Sequence, residues 1–428
     1  MKDKKELRKI RRNNAELYPI YKMFSWDLLF FYSIEFLFLT ITKKLTASEI
    51  LIVNGFYLFF SIVMQIPAVI ITDFLGKRKS IILGNIFMIF YILILILLPG
   101  LISIVFANLI FALAYDVKKI AETNLAYDSV STHGGEGLYS KLDARGGSWY
   151  YILDGIASLT AGYLFVINNY LPMFICLGFI IISTILSFKF KDVYETKYKK
   201  SNITNTLKEY SGDIKTSFKF ILRSRRMKAF VVFQIAIFSL IEIISTYSND
   251  LLVTIGVPEE QFSIIFSVLT LIGGISLSLK KAIEKKFKNR TLAFLSLTYV
   301  FACIIIGTIS SIYRGMLIIP IILVMLATHR ICQSVWYILE YKYLNNFTTE
   351  EMRNKIMFTY EFIGAIGASI FSILGGLLLD IISVENAYLI VGLAFLAIMI
   401  VVLDYMRTRI GLKPEEYKKE DIELVNIK

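Results

Sequence analysis

The sequence consists largely of long apolar segments separated by short polar ones, and this pattern constrains the fold more than any other feature. A helix that crosses the hydrocarbon core of a bilayer needs about 20 mostly apolar residues. Hydrophobic residues make up 56% of the chain and charged residues 19%, which is more apolar surface than soluble domains bury. We therefore predict an all-α membrane protein whose helices span the bilayer.

Charged or turn-forming residues set the approximate limits of each apolar segment. The predicted spans are 18–42, 50–72, 80–98, 101–124, 146–168, 170–190, 227–250, 261–280, 291–313, 315–343, 355–382 and 384–406. Lysine and arginine are retained on the cytoplasmic side of a membrane. If the N-terminus is inside, the outer loops contain only Lys43, Lys44 and Arg314 as basic residues. We therefore expect twelve transmembrane helices, cytoplasmic N- and C-termini, and a location in the plasma (inner) membrane.

One long polar stretch divides the chain near its middle. The expected parts are a cytoplasmic N-terminal arm at 1–17, a six-helix bundle at 18–190, a cytoplasmic linker at 191–226, a second six-helix bundle at 227–406 and a cytoplasmic tail at 407–428. The composition of the linker suits a segment that lies on the inner leaflet. We expect a solvated tether, and the alternative is an amphipathic helix over 205–226.

Several function classes lack the residues that they need. The net charge of +12 is concentrated in short segments between the apolar runs, as topology signals are, which argues against a nucleic-acid partner. The chain has neither a phosphate-binding P-loop motif nor the nucleophile motif of serine hydrolases. With three cysteines, all in apolar runs, and two histidines, a metal centre is not expected. We predict no cofactor and no enzymatic activity.

The two halves of the chain resemble each other at an offset of 213 residues. Leu113–Ala114 matches Leu326–Ala327, and Gly162–Leu164 is similar to Gly375–Leu377. The matches fall in the fourth and fifth predicted spans and again in the tenth and eleventh. Paired six-helix bundles of this kind are a known transporter design, in which the solute binds between the halves near the middle of the membrane.

The loop after the second span contains a recognisable motif. Its main residues are Asp73, Gly76, Lys77 and Arg78. This loop resembles the signature loop of the major facilitator superfamily, although Val69 and Phe74 replace a glycine and an arginine of that pattern. Glycine at position 76 permits a tight turn, and Asp73 can pair with a basic residue of a neighbouring helix to latch the inner face. The alternative is that Lys77 to Lys79 act only as an inside-retention signal.

A second resemblance to bacterial members of this superfamily begins near the end of span four, at Glu122 to Ser129, and continues to Arg145. The resemblance covers the whole chain and implies two pseudo-symmetric six-helix bundles that move a small molecule by alternating access. Asp128 with Arg145, and Glu340 with Arg353, lie at matching inner helix ends. We expect salt bridges there that break as the halves rock.

Ionisable residues also occur inside the predicted spans, where each costs about 2.5–3.5 kcal/mol on insertion scales unless it pairs, faces a cavity or functions. The candidates for proton coupling or a substrate cavity are Asp27, Glu35, Asp116, Lys118, Lys119, Glu122, Glu242, His329 and Arg330. They lie on spans one, four, seven and ten, which the resemblance implies line the central cavity.

The surroundings and spacing of these residues favour different roles. Glu35 and Glu242 have apolar neighbours, which favour the neutral form of a carboxyl group and suit a proton carrier. A hydrogen bond to a neighbouring helix is the alternative. Within span four, Asp116 with Lys119 and Lys118 with Glu122 have the spacing of pairs that share a helix face, so they can simply neutralise each other.

The resemblance and the buried charges together predict a proton-coupled secondary transporter, acting as a monomer in the lipid bilayer, that exports an amphipathic or drug-like small molecule. The first alternative is proton-coupled uptake of a polar or anionic nutrient, favoured by Lys118, Lys119 and Arg330. The second is a membrane-embedded sensor or enzyme without a transport cycle.

Overall fold

The computed structural model describes residues 4–25, 28–130, 135–194, 203–313, 316–348, 353–407 and 409–410. Over these residues the regular structure is helical. The α-helices are α1 (Lys4–Ser25), α2 (Leu29–Tyr32), α3 (Glu35–Leu37), α4 (Ala47–Val63), α5 (Gln65–Leu75), α6 (Lys77–Leu97), α7 (Leu101–Val130), α8 (Gly135–Ile167), α9 (Leu171–Ser187), α10 (Ile203–Arg223), α11 (Arg225–Thr254), α12 (Glu259–Ser276), α13 (Lys280–Phe287), α14 (Thr291–Ile312), α15 (Ile319–Phe347), α16 (Arg353–Leu379) and α17 (Val384–Arg407).

Nine helices in the described part of the chain are long and apolar enough to cross a membrane, counting α12 and α13 as one. Two bent pairs, Lys4–Tyr32 with Glu35–Thr42 and α4 with α5, raise this number to eleven if each pair is a single span. The apolar helix α9 has 17 residues and is shorter than the others. The all-α membrane fold is thus confirmed, whereas the count of twelve spans stays a prediction.

The bend between α4 and α5 is explained by a proline, Pro67. The two helices meet at Met64 with an angle of 43°. Pro67 lacks a backbone N–H and its ring clashes with the carbonyl group four residues earlier, which belongs to Val63, the last residue of α4. The first span is also broken, by 54°, and Glu35 is the first residue of α3 directly after that break.

The described residues form two compact units. In the first unit (1–45, 59–203 and 259–267), α1 packs against α7, α8 and α9, and α6 packs against α7 and α9. In the second unit (46–58, 204–258 and 268–428), α11 packs against α15, α16 and α17, and α14 packs against α15 and α17. The offset of 213 residues relates these five pairs to the five pairs of the first unit. The repeat therefore extends from sequence to helix packing.

Most of the stretch predicted as a linker is a helix, and its residues from 204 onward belong to the second unit. Residues 203–223 form α10, and the side chains of Ser217, Phe220 and Ile221 are buried. This spacing places one face of the last turns of α10 against the protein. Ser224 then begins α11, and its Oγ accepts a hydrogen bond from the Met227 backbone N–H at 3.2 Å. The helix that the alternative expected is thus present over 203–223, and the cytoplasmic position of the segment stays a prediction.

Lys43 is one of the three basic residues predicted to lie in outer loops, and it has a structural role. Its Nζ donates to the carbonyl oxygens of Ile96 and Leu98, at 3.3 and 3.0 Å, at the end of α6. A cation there satisfies carbonyl groups that have no partner within the helix. Burial lowers the pKa of Lys43 below its usual value.

The turns that precede α6 and α14 have left-handed backbone. Gly76 has φ 79° and ψ 165°, which glycine adopts readily. Lys288, in the corresponding loop of the second half, has φ 49° and ψ −122°, a conformation that is strained for a residue with a side chain. Both loops thus contain a residue with positive φ, and only in the first loop is that residue a glycine.

We expect Lys288→Gly to raise the free energy of unfolding by about 1 kcal/mol, because it relieves this strain. Lys286→Gly is the matched control, since it places glycine inside α13 and should lower the same quantity by about 1 kcal/mol. Thermal unfolding of the purified protein in detergent measures both. Shifts of the same sign in the two variants would contradict the interpretation.

Candidate functional site

The first unit contains a buried polar network built on α7. Lys118 and Glu122 lie one turn apart and are 3% and 9% exposed, which is low for charged residues. The Lys118 ammonium group donates to the backbone oxygen of Ser25, and Glu122 Oε1 accepts a hydrogen bond of 2.5 Å from the Tyr21 hydroxyl group. The charges of Lys118 and Glu122 also interact with each other.

The network continues through α6 and α8. Asn85 Nδ2 donates to the Tyr21 hydroxyl oxygen at 3.2 Å. Asp143 forms an ion pair with Lys22 and accepts a hydrogen bond of 3.0 Å from the Tyr18 hydroxyl group. We call the following residues the polar network: Tyr18, Tyr21, Lys22, Asn85, Lys118, Glu122 and Asp143. It links α1, α6, α7 and α8 within one unit and adjoins a core that includes Ile81, Leu125 and Phe190.

Sequence reasoning identified only two of these seven residues. Lys22 lies inside the predicted first span, so the same test of charge at membrane depth would have found it. Asp143 lies outside every predicted span, in the loop before span five. Tyr18, Tyr21 and Asn85 gave no signal, because neutral polar residues are common near helix ends.

The other candidates of the first unit lie apart from this network. Asp116 is buried, its charge interacts with Lys119, and its Oδ2 has no hydrogen-bond partner among the described residues. Lys119 is exposed, and its ammonium group lies 5.7 Å from the centre of the Tyr115 ring. Glu35 lies at the break in the first span, and Asp27 falls outside the described residues.

The basic residues of the loop motif form ion pairs and hydrogen bonds with partners other than those expected. Lys77, the first residue of α6, forms an ion pair with Asp128 in the last turn of α7. The backbone N–H of Arg78 donates to Asp192 Oδ1 at 2.9 Å, and its guanidinium group donates to the Phe188 backbone oxygen at 3.0 Å. Asp73, which was expected to latch to a neighbouring helix, and Arg145, which was expected to pair with Asp128, are both exposed.

In the second unit, a ladder of side chains leads along α15 towards Glu242. Arg330 Nη1 donates to Gln333 Oε1 at 3.3 Å, and Gln333 Nε2 donates to the Tyr337 hydroxyl oxygen at 3.4 Å. Glu242, on α11, interacts electrostatically with Tyr337. Within the part of the chain that the structure describes, the Glu242 carboxyl group has neither a hydrogen bond nor an ion pair.

His329 does not share the face of Arg330. Its ring is buried and stacks on Tyr299 at a centroid distance of 4.1 Å. Its Nε2 lies 3.2 Å from the Tyr299 backbone oxygen and 3.4 Å from Cys303 Sγ, both on α14. These contacts give the imidazole a packing role between α14 and α15.

Glu340 and Arg353 do not form a pair within the described residues. Glu340 Oε1 instead accepts a hydrogen bond of 2.8 Å from the Tyr360 hydroxyl group. This bond links α15 to α16, the two helices on which the expected salt bridge was placed. Arg353 Nε is buried and has no hydrogen-bond partner among the described residues.

Comparison with known proteins agrees with this architecture. Residues 22–328 match the family described as Major Facilitator Superfamily, and no curated protein matches the chain. The crystal structure of the nucleoside transporter NupG is 13% identical, with a TM-score of 0.71 over 92% of this chain and 99% of that one. A mutant of the peptide transporter POT is 12% identical, with a TM-score of 0.65 over 96% of each chain.

A third similar structure is a bacterial homolog of the human lysosomal transporter Spinster, inward-facing and unoccupied. It is 13% identical, with a TM-score of 0.61 over 98% of this chain and 99% of that one. At these identities the likeness concerns the fold alone, and the family match carries the assignment. The chain belongs to the major facilitator superfamily, as its loop motif predicted, and is a multi-pass membrane transporter rather than an enzyme.

Proposed function

We propose that the chain couples proton movement to the export of an amphipathic or drug-like small molecule by alternating access. The observation that carries the proposal is the position of Glu242. This carboxyl group lies in a membrane-crossing helix, is partly buried, and has no hydrogen bond or ion pair among the described residues. Its flanking residues, from Phe233 to Ile244, are mostly apolar.

A carboxyl group in this setting has two distinct states. The protonated form is neutral and tolerates apolar surroundings, whereas the charged form needs a donor or a cation nearby. Tyr337 interacts electrostatically with Glu242 and is joined by hydrogen bonds through Gln333 to Arg330. Loss of the proton would therefore place a negative charge at the end of a ladder whose other end is a guanidinium group. Such a change in charge can favour one conformation of the transporter over another.

The test is Glu242→Gln in proteoliposomes with an imposed pH gradient. Glutamine keeps the size of the side chain and cannot lose a proton, so we expect gradient-driven flux to fall at least about tenfold, which corresponds to a coupling free energy of about 1.4 kcal/mol. Exchange of solute without a pH gradient should persist. Glu361→Gln is the control, because Glu361 is exposed on α16. Undiminished gradient-driven flux in Glu242→Gln would refute the coupling role.

The direction of transport is a separate part of the proposal. The aromatic fraction of 14% suits an apolar cavity, and the resemblance includes many bacterial exporters. Uptake of an anionic nutrient is the rival, but Lys118 is engaged within the polar network, so that case rests on Lys119 and Arg330.

In right-side-out vesicles with an acidic exterior, a proton-coupled importer accumulates its solute, whereas a proton-coupled exporter does not. A thermal-shift screen on the purified protein supplies candidate solutes.

We also propose that the transporter acts as a monomer in the plasma membrane with both termini in the cytoplasm. The distribution of lysine and arginine between the predicted loops supports this orientation. Labelling of single cysteines with a membrane-impermeant reagent tests it, and an N-terminus that is labelled from outside intact cells would disprove it.

A further inference from the structure

The second unit contains a cavity of about 650 Å³ at one end of its helices. Its wall includes the ends of α11 and α16, the start of α17 and the start of α4. Three acidic residues line it, Asp250, Asp380 and Glu385, and no lysine, arginine or histidine lines it among the described residues. In a chain with 46 basic and 34 acidic residues, this is a marked local excess of negative charge.

Two of these carboxylates lie at helix ends where a negative charge is unfavourable. Asp250 lies in the last turns of α11, and Asp380 directly follows the last residue of α16. The C-terminal end of a helix carries partial negative charge, which repels a carboxylate. Asp250 and Glu385 also repel each other. Only Glu385, in the first turn of α17, occupies a favourable helix end. A bound cation would offset this repulsion.

Three buried oxygen atoms of the lining residues have no hydrogen-bond partner among the described residues. They are Glu385 Oε2, Ser48 Oγ and Ser310 Oγ, and their residues are 5%, 3% and 1% exposed. A buried polar atom without a partner costs about 1–3 kcal/mol, and more if it is charged. Their common location at one cavity indicates that the missing partner is a ligand with positive charge or hydrogen-bond donors.

The size and walls of the cavity restrict the class of cation. A volume of about 650 Å³ far exceeds that of a bare metal ion and lies within the range of small-molecule sites. No group of three or more acidic, histidine or cysteine side chains within the described residues is arranged to hold a metal. Apolar residues including Ile255 and Val384 complete the lining, together with Tyr313, and aromatic rings attract ammonium groups.

We propose that this cavity binds an organic cation, namely a substituted ammonium that carries an apolar group, with Glu385 and Asp250 as its counter-ions. The site lies within the second unit and does not include Glu242 or its ladder. It therefore stands or falls independently of proton coupling.

The test is isothermal titration calorimetry, in which benzyltrimethylammonium chloride is titrated into the purified protein in detergent. No ion gradient is present. A parallel titration with sodium chloride in a potassium chloride background separates an inorganic from an organic cation. We expect saturable binding of benzyltrimethylammonium, weakened about tenfold by Glu385→Gln, which removes one nearby charge and keeps the side-chain shape. Glu259→Gln is the control, since Glu259 is exposed and does not line the cavity.

Asp380→Lys is a second variant, and it changes an exposed residue of the cavity rather than a buried one. Asp380 is exposed, so the substitution should fold, and its ammonium group should compete with the probe and reduce binding at least tenfold. The proposal is overturned by the absence of saturable benzyltrimethylammonium binding, by equal affinity in the parent protein and both cavity variants, or by saturable binding of sodium alone. The melting temperature of each variant confirms that the protein titrated is folded.

Discussion

Methionine in place of Lys118 should lower the free energy of unfolding by about 3–5 kcal/mol. The reason is the burial of both charges: methionine keeps an unbranched apolar stem but leaves Glu122 without the cation one turn away on the same helix. Ser25 is the last residue of α1, and its backbone oxygen would lose the hydrogen bond that Lys118 donates. Denaturation of the detergent-solubilised protein with sodium dodecyl sulfate, followed by tryptophan fluorescence, measures the change.

The neighbouring residue supplies the control. Lys119 is exposed on the same helix, so Lys119→Met should change the free energy of unfolding by no more than about 0.5 kcal/mol. Removing both charges, in Lys118→Met with Glu122→Gln, should recover part of the loss, because no unpaired charge then remains buried. If Lys118→Met and Lys119→Met had the same small effect, the interaction of Lys118 with Glu122 would contribute nothing to the fold.

The second large effect is expected at Gly307, in the last third of α14. A Cβ atom built there would lie 2.4 Å from the backbone nitrogen of Leu389 and 2.7 Å from its Cα. These are backbone atoms of α17, so no side-chain rotation relieves the overlap and the two helices must separate. We expect Gly307→Ala to lower the free energy of unfolding by about 2–3 kcal/mol.

Gly178→Ala is the matched comparison for this substitution. Gly178 also lies inside a helix, α9, and a Cβ atom there would meet none of the described residues within 4 Å. Alanine is favoured over glycine in a helix by about 1 kcal/mol, so this variant should be the more stable protein. Thermal melts of the two variants should therefore shift in opposite directions. A gain of stability in both would mean that helix propensity, and not the contact between α14 and α17, decides the outcome.

The sequence contained enough information to predict the helical membrane fold and its internal repeat. Membrane helices satisfy their own backbone hydrogen bonds, so length and apolar composition suffice to identify most of them. Bends were harder to predict, because Pro67 marks one while the break before Glu35 contains no proline. Contacts of individual glycines were harder still. A Cβ atom built on Gly155 would meet none of the described atoms within 4 Å, whereas one built on Gly307 would overlap Leu389, and nothing in the sequence distinguishes these two glycines.

The candidate site could be predicted only in part. Charge at membrane depth identified Lys118 and Glu122, but their partners on α1 and α6 are neutral and become adjacent only through tertiary packing. His329 and Arg330 were both candidates for the cavity on the same predicted span. Consecutive residues of an α-helix differ in direction by about 100°, and the structure accordingly turns His329 towards α14 and leaves Arg330 to Gln333. The sequence thus identifies the positions of polar residues. Their contacts depend on the direction in which each side chain leaves the helix.

Ser224 is the single extended residue between α10 and α11, and this has a mechanical consequence. A joint of one residue offers two rotatable backbone bonds, and the last turns of α10 are held by their buried face. A tilt of α11 is therefore taken up at Ser224, either by rotation about these two bonds or by a swing of α10 along the protein surface. A spin label at the exposed position Lys219 would report that swing directly.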